Sequence, residues 1–327
     1  MRPLHDPTTG LETGFSFSRL CFFATRMNYG LFTNVHHGTA TNDFHVTFTF
    51  EDDPQRGTRI HLPGNQGMYV YLAETPALRN AGHYKDDLVY RWKMPHLLAR
   101  RKVSEGHKSI FIAVFDLFAK SPQITTVKQI SAGKDAIALK IHFKDRSDTL
   151  LFSPEKAVRI VAEGIHTNGR LGLVCRDAES TRAFLVGGTS FQMGDVRLSC
   201  EQGRYTGTIE SSMRKQDGDK YNAFIVNADL PTGTALQGQW MIVTHGMEGP
   251  IWADTRSDRE ILQHEVTHGY EIDRVLKANE KTVVILTGDH GLSIEGNTTR
   301  EVYSQWKVFT GPNRYTILSQ KKGLWKD

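Results

Sequence analysis

Hydrophobic and polar positions alternate in twos along most of this chain, and a period of two is what a half-buried strand requires. In Phe44 to Phe50 the residues Phe44, Val46, Phe48 and Phe50 fall on one side, which predicts a strand with His45, Thr47 and Thr49 on its wet face. The same β-branched and aromatic pattern runs through Met68 to Glu74, Ser109 to Phe118, Ile137 to Phe143, Arg170 to Cys175, Ala223 to Val226, Trp240 to Thr244, Thr282 to Leu286 and Tyr315 to Leu318. Turn chemistry separates these runs, at Asp53-Pro54, Pro63-Gly64, Gly187-Gly188, Asp217-Gly218, Gly249-Pro250, Gly296-Asn297 and Gly311-Pro312, with Asp289-His290-Gly291 as a further turn. Helix is predicted only at Ser257 to Gln263, with a short turn near Pro154 to Lys156. The expected fold class is all-β: a large antiparallel β-sandwich, supersandwich-like, with very little helix. No repeat or low-complexity segment is visible, so residues 1–327 read as one sandwich unit, with 153–169 as its loosest stretch and the place for an internal seam.

Composition narrows the class without changing it. With 327 residues, 39% hydrophobic, 10% aromatic and 23% charged, the chain can bury a substantial core and is neither disordered nor fibrous. The longest apolar run, Ser109 to Phe118, is interrupted by Asp116 and falls well short of the roughly 20 residues of a membrane-spanning helix. Lys+Arg number 40 against Asp+Glu 36, a net charge of +4, and the basic residues are scattered instead of clustered among stacking aromatics. That argues against nucleic acid as a partner and is compatible with an anionic polymer such as an acidic polysaccharide. Cys21, Cys175 and Cys200 are too few and too irregularly spaced for a disulfide framework or a cysteine-based zinc site. The opening residues, MRPLHDPTTGLETG, lack the apolar stretch of a secretory signal.

Three groups of residues carry candidate chemistry. His264-Glu265-Val266-Thr267-His268 is an H-E-x-x-H, which on a helix would offer two zinc ligands and a general base. Its surroundings read as strand instead, because Val266, His268, Tyr270 and Ile272 alternate and Gly269 follows at once. A third ligand would have to come from Glu295 or Glu301. His36 and His37, followed by Asn42, Asp43 and His45, could serve proton abstraction, or they could be a polar loop entering the next strand. Arg100 and Arg101 follow Trp92 and Pro95, and paired guanidiniums beside an indole can grip a carboxylate or sulfate while a sugar ring stacks. A solvated strand end is the plainer alternative. Neither a G-x-S-x-G elbow, a P-loop nor a G-x-G-x-x-G occurs.

Taken in order, Ile60 to Pro76, Trp92 to Arg101 and Ser109 to Ile130 resemble the C-terminal β-sandwich region of heparinase II/III-like polysaccharide lyases, in which an arginine pair precedes a strand of the form S-x-F-x-A-V. Lys220 to Gly246, Gly269 to Val275 and Gly288 to Gly311 resemble the family's later strands. The resemblance implies β-elimination on an acidic, uronic-acid-containing polysaccharide in the parent enzyme, no cofactor, and a helical toroid partner that supplies a tyrosine acid. No run of amphipathic helices for a toroid is present here, and the family's H-x-H-x-D-x-N loop is only loosely echoed by His36, His37, Asn42 and Asp43.

The expectation is therefore the sandwich portion of such a lyase, binding its polymer yet weakly active or inactive alone, with Arg100, Arg101 and Trp92 as substrate contacts and His36 and His37 as candidate catalytic residues. Two alternatives stand beside it: a stand-alone carbohydrate-binding or structural β module, and a zinc metallopeptidase through His264, Glu265 and His268. The resemblance implies a parent enzyme of a kind usually exported to the periplasm or beyond the cell, whereas no export signal is read in this chain, and the localisation is left open.

Overall fold

The structure, a computed structural model, describes residues 18–19, 32–64, 67–76, 93–102, 109–133, 135–154, 157–247, 264–303 and 308–326. The helix expected at Ser257 to Gln263 and the side chain of Trp92 lie outside the described residues, as does most of the turn near Pro154 to Lys156. Among the described residues the regular elements are strands in antiparallel sheets, apart from one 3-10 turn at Lys215–Asp217, and the architecture is the all-β sandwich type that the alternation predicts. The strands expected from the pattern are present; Ser109 to Phe118 is trimmed to Val114–Phe118.

Two compact units divide the chain. The first comprises Met1–Ser131, Ala138–Thr149 and Cys175–Glu179; the second comprises Ala132–Ile137, Leu150–Val174 and Ser180–Asp327. In the first unit, a four-stranded sheet runs in the order Ser18–Arg19, Thr33–Ala40, Met68–Pro76, Lys93–Arg101. Alternation sends Ala40, Met68 and Val70 into a small core, where Phe44, Leu97 and Ala99 pack against them. A three-stranded sheet, Phe44–Thr49, Gly57–Leu62 and Val114–Phe118, lies in the same unit.

One expectation about that second sheet is corrected. His45 is opposite His61 in the register and Arg59 is opposite Asp116, yet their shared face is not a wet one: His61 is 5% exposed and Asp116 6%. His45 itself is half-buried, and the Asp116 Oδ2 accepts the backbone N–H groups of Gln123 and Ile124 at 2.8 Å each, which holds the following segment close to Asp116. Phe115 and Leu117 on the opposite face are instead 61% and 78% exposed.

The second unit is built on a nine-stranded sheet whose centre includes Trp240–Met247, His264–Ala278, Lys281–Leu286 and Arg314–Leu318. Its buried face carries Met241, Val243, Ile272, Val275, Val284 and Ile317, each fully buried. Burial of side chains of this kind contributes about 1.5–3 kcal/mol apiece before the entropy of ordering is set against it. A smaller four-stranded sheet in this unit joins Ile160–Ala162, Ile165–Thr167, Ser190–Met193 and Val196–Ser199. Its first hairpin closes through Glu163 and Gly164, both at positive φ (47° and 75°), the backbone that a two-residue type I′ turn demands.

Candidate functional site

Side chains of neighbouring residues in a strand point to opposite faces, and this separates both pairs that the sequence offers. His37 is opposite Tyr71 and Tyr69 is opposite Arg100 in the four-stranded sheet of the first unit. Those four residues share one outward face. His36 and Arg101 belong to the other face, in register with Leu72 and Met68. The His36 Nε2–H donates to Asn34 Oδ1 at 3.2 Å. Arg101 donates from Nη1 to Ser109 Oγ at 3.1 Å, and its guanidinium lies 5.5 Å from the Phe111 ring centre. Arg101 is thus tied into local structure on its face; Arg100 is exposed.

The outward face is aromatic and basic, with Tyr69 and Arg100 exposed and His37 and Tyr71 half-buried. The His37 and Tyr71 rings are 5.9 Å apart, tilted by 34°. Tyr69 precedes Tyr71 by two residues in the same strand, about 7 Å away, and Arg100 stands across from it at about 5 Å. Tyr69 is 42% exposed. Leu98, opposite Tyr71, is on the same face, which continues to His96, whose Nε2 shares a 2.7 Å hydrogen bond with Thr75 Oγ1. A guanidinium at this place can take a carboxylate in a two-point fork, the tyrosine rings can cover the apolar side of a sugar, and an imidazole with a phenol can exchange protons. Reading the sequence in pairs missed Tyr69 and Tyr71. The signal that could have found them is in the segment Met68 to Leu72, where buried Met68, Val70 and Leu72 leave two tyrosines on the solvent side.

His264 and His268 stand in the fifteen-residue strand His264–Ala278, in register with Met247 and Val243. Four residues of strand separate their Cα atoms by about 13 Å, too far for two imidazoles to share a zinc ion in the manner of a helical H-E-x-x-H. No group of three or more histidine, cysteine, aspartate or glutamate side chains that could hold a metal ion occurs among the described residues. His268 has its ring centre 5.1 Å from that of His245, which also packs on Phe309 at 4.3 Å. Burial lowers the pKa of His245 to about 4, with His268 adding to the effect. His61 in the first unit is lowered to about 4 as well, by burial first, then by His45 and Arg59 against the opposing pull of Asp116. Both are neutral core histidines at pH 7, not members of the outward face.

No protein-family model matches this chain, and no curated protein matches it.

Proposed function

We propose that this chain binds an acidic, uronic-acid-containing polysaccharide on the outward face of the sheet Thr33–Ala40, Met68–Pro76 and Lys93–Arg101, as the β-sandwich portion of a heparinase II/III-like lyase. The observation that carries this reading is the register that brings His37, Tyr71, Tyr69 and Arg100 onto one face. Elimination across a uronate needs the carboxylate neutralised, a base for the proton next to it and an acid for the departing oxygen. Arg100, His37 and a tyrosine are one residue of each required kind. The exposure of Tyr69 and Arg100 provides little exclusion of water, so binding is expected to exceed turnover in the isolated chain.

The test is a panel of alginate, heparin-like and chondroitin-like polymers with a neutral glucan as comparator. Unsaturated-uronate absorbance and melting temperature are followed in the same samples. A melting shift with an acidic polymer and none with the glucan supports the reading; no shift with any polymer contradicts it. Measurable absorbance would overturn the expectation that the isolated chain turns over little and make this face a complete catalytic site.

A further inference from the structure

We propose a second anion-binding site, for an acidic oligosaccharide, in a cleft of about 830 Å³ over the four-stranded sheet Ile160–Ala162, Ile165–Thr167, Ser190–Met193 and Val196–Ser199. The sugar class is taken from the function proposed above; the preference for an anion is read from this cleft alone. Register places Val161, His166, Gln192 and Arg197 side by side across the four strands. One step along, Ser190 is opposite Ser199, and Arg159 and Asn168 have the parity of that second row. The opposite face carries Ile160, Ile165, Phe191, Val196 and Leu198, all buried, and this anchors the polar face outward.

The charge of the cleft has one sign. Arg159 and Arg197 line it and no carboxylate does. The acidic residues nearest in sequence are Glu163 and Asp195, in the hairpin turns beyond the first row, and Glu201, two residues past Ser199; none of them lines the cleft. Arg197 is on one outer strand and Arg159 immediately precedes the other, about 16 Å apart at the backbone, with an imidazole, two amides and two hydroxyls between them. A ligand suited to this spacing carries more than one negative group on a hydroxyl-rich frame. No exposed aromatic lines the cleft, Phe191 being buried beneath it, so the surface lacks the stacking platform that an unpaired nucleic acid strand would use.

Part of the site is rigid before any ligand arrives. Asn168 Oδ1 accepts the backbone N–H groups of Thr189 and Ser190 at 2.9 Å each, and its Nδ2 donates to Thr189 Oγ1 at 2.7 Å. Fixing this corner reduces the entropy lost on binding.

Calorimetry with a mannuronate tetrasaccharide tests the site on the full chain carrying Y69A and R100A, which removes the face proposed above. Retained binding that falls at least tenfold on adding R159A and R197A, weakens with salt and is not seen with a neutral tetrasaccharide is the expected result. No binding in the Y69A/R100A chain, or retained binding indifferent to R159A/R197A, overturns the cleft. A wild-type chain that loses all affinity through Y69A/R100A leaves the first proposal standing and removes the second, whereas indifference to Y69A/R100A with loss through R159A/R197A does the reverse. Because all four residues are on exposed faces, unchanged circular dichroism checks the fold, and R159Q/R197Q replaces the alanine pair if it fails.

Discussion

Arg214 grips Asp289 along one edge of its guanidinium, with Nε donating to Oδ1 and Nη2 to Oδ2, each at 2.9 Å. The remaining donors are also used: Nη1 reaches both oxygens of Asp217 at 3.0 and 3.1 Å, and Nη2 reaches Gln216 Oε1 at 2.5 Å. Tyr303 donates its hydroxyl to Asp289 Oδ2 at 2.5 Å. With Arg214 only 3% exposed, this is a structural clasp between Arg204–Met213 and the segment preceding Leu292–Glu295, not a ligand site with a spare cation.

Removing one partner of a buried, fully bonded pair leaves the other charge stranded. R214A is expected to cost about 3–5 kcal/mol in urea denaturation, and R214K to recover little of it, because a point charge cannot reproduce the fork. A loss below about 1 kcal/mol for R214A would contradict the clasp.

The same carboxylate gives an acid limit. The Arg214 hydrogen bonds, with those of Tyr303 and Gly291, hold the Asp289 carboxyl well below the usual carboxylate range, although its partial burial opposes them. A depressed pKa contributes stability that is complete above the unfolded value near 3.9 and is lost as pH falls below it. D289N is expected to lower stability at neutral pH and to flatten the decline below pH 4, read from urea midpoints against pH.

His61 and His245 act at higher pH. Each is lowered from 6.5 to about 4 in the folded chain, so the unfolded chain binds more protons between those values and stability falls as pH drops from 6.5 towards 4. Allowing for screening, the loss is about 1–3 kcal/mol for each histidine. Urea midpoints measured from pH 7 to 4 should show this slope, and H245F should remove part of it. An unchanged slope in H245F would contradict the account of this core.

Gly188 packs where no side chain fits. A Cβ there would lie 2.4 Å from Gly169 Cα and 2.8 Å from Asn168 Oδ1, so G188A forces backbone apart at the rim of the second unit's cleft. The expected cost is about 1–3 kcal/mol in thermal or urea unfolding. A neutral G188A would mean that these two segments do not approach each other this closely.

Much of the fold was legible because the long strands alternate cleanly: buried Met68, Val70 and Leu72 and outward Tyr69 and Tyr71 follow directly from the pattern. The site was less legible, for a reason in the same period of two. Adjacent His36-His37 and Arg100-Arg101 look like functional pairs, yet a strand sends their members to opposite faces, and only the register with Tyr71 and Tyr69 shows which one of each pair faces out. The stretch 153–169 reads as loose because its strands, Ile160–Ala162 and Ile165–Thr167, have three residues each, too short for alternation to stand out. The half-burial of His45 is not legible in the pattern, because the covering of the face it shares with buried His61 and Asp116 is tertiary and leaves no periodic trace.

The central claim, a binding face that includes Arg100 and Tyr69 but not Arg101, is tested most directly by the affinity of three variants for a mannuronate oligosaccharide at one fixed salt concentration. R100A and Y69A are each expected to weaken binding about tenfold, while R101A, on the opposite face, should change stability but not affinity. Equal loss in R101A, or undiminished affinity in both R100A and Y69A, would contradict the account.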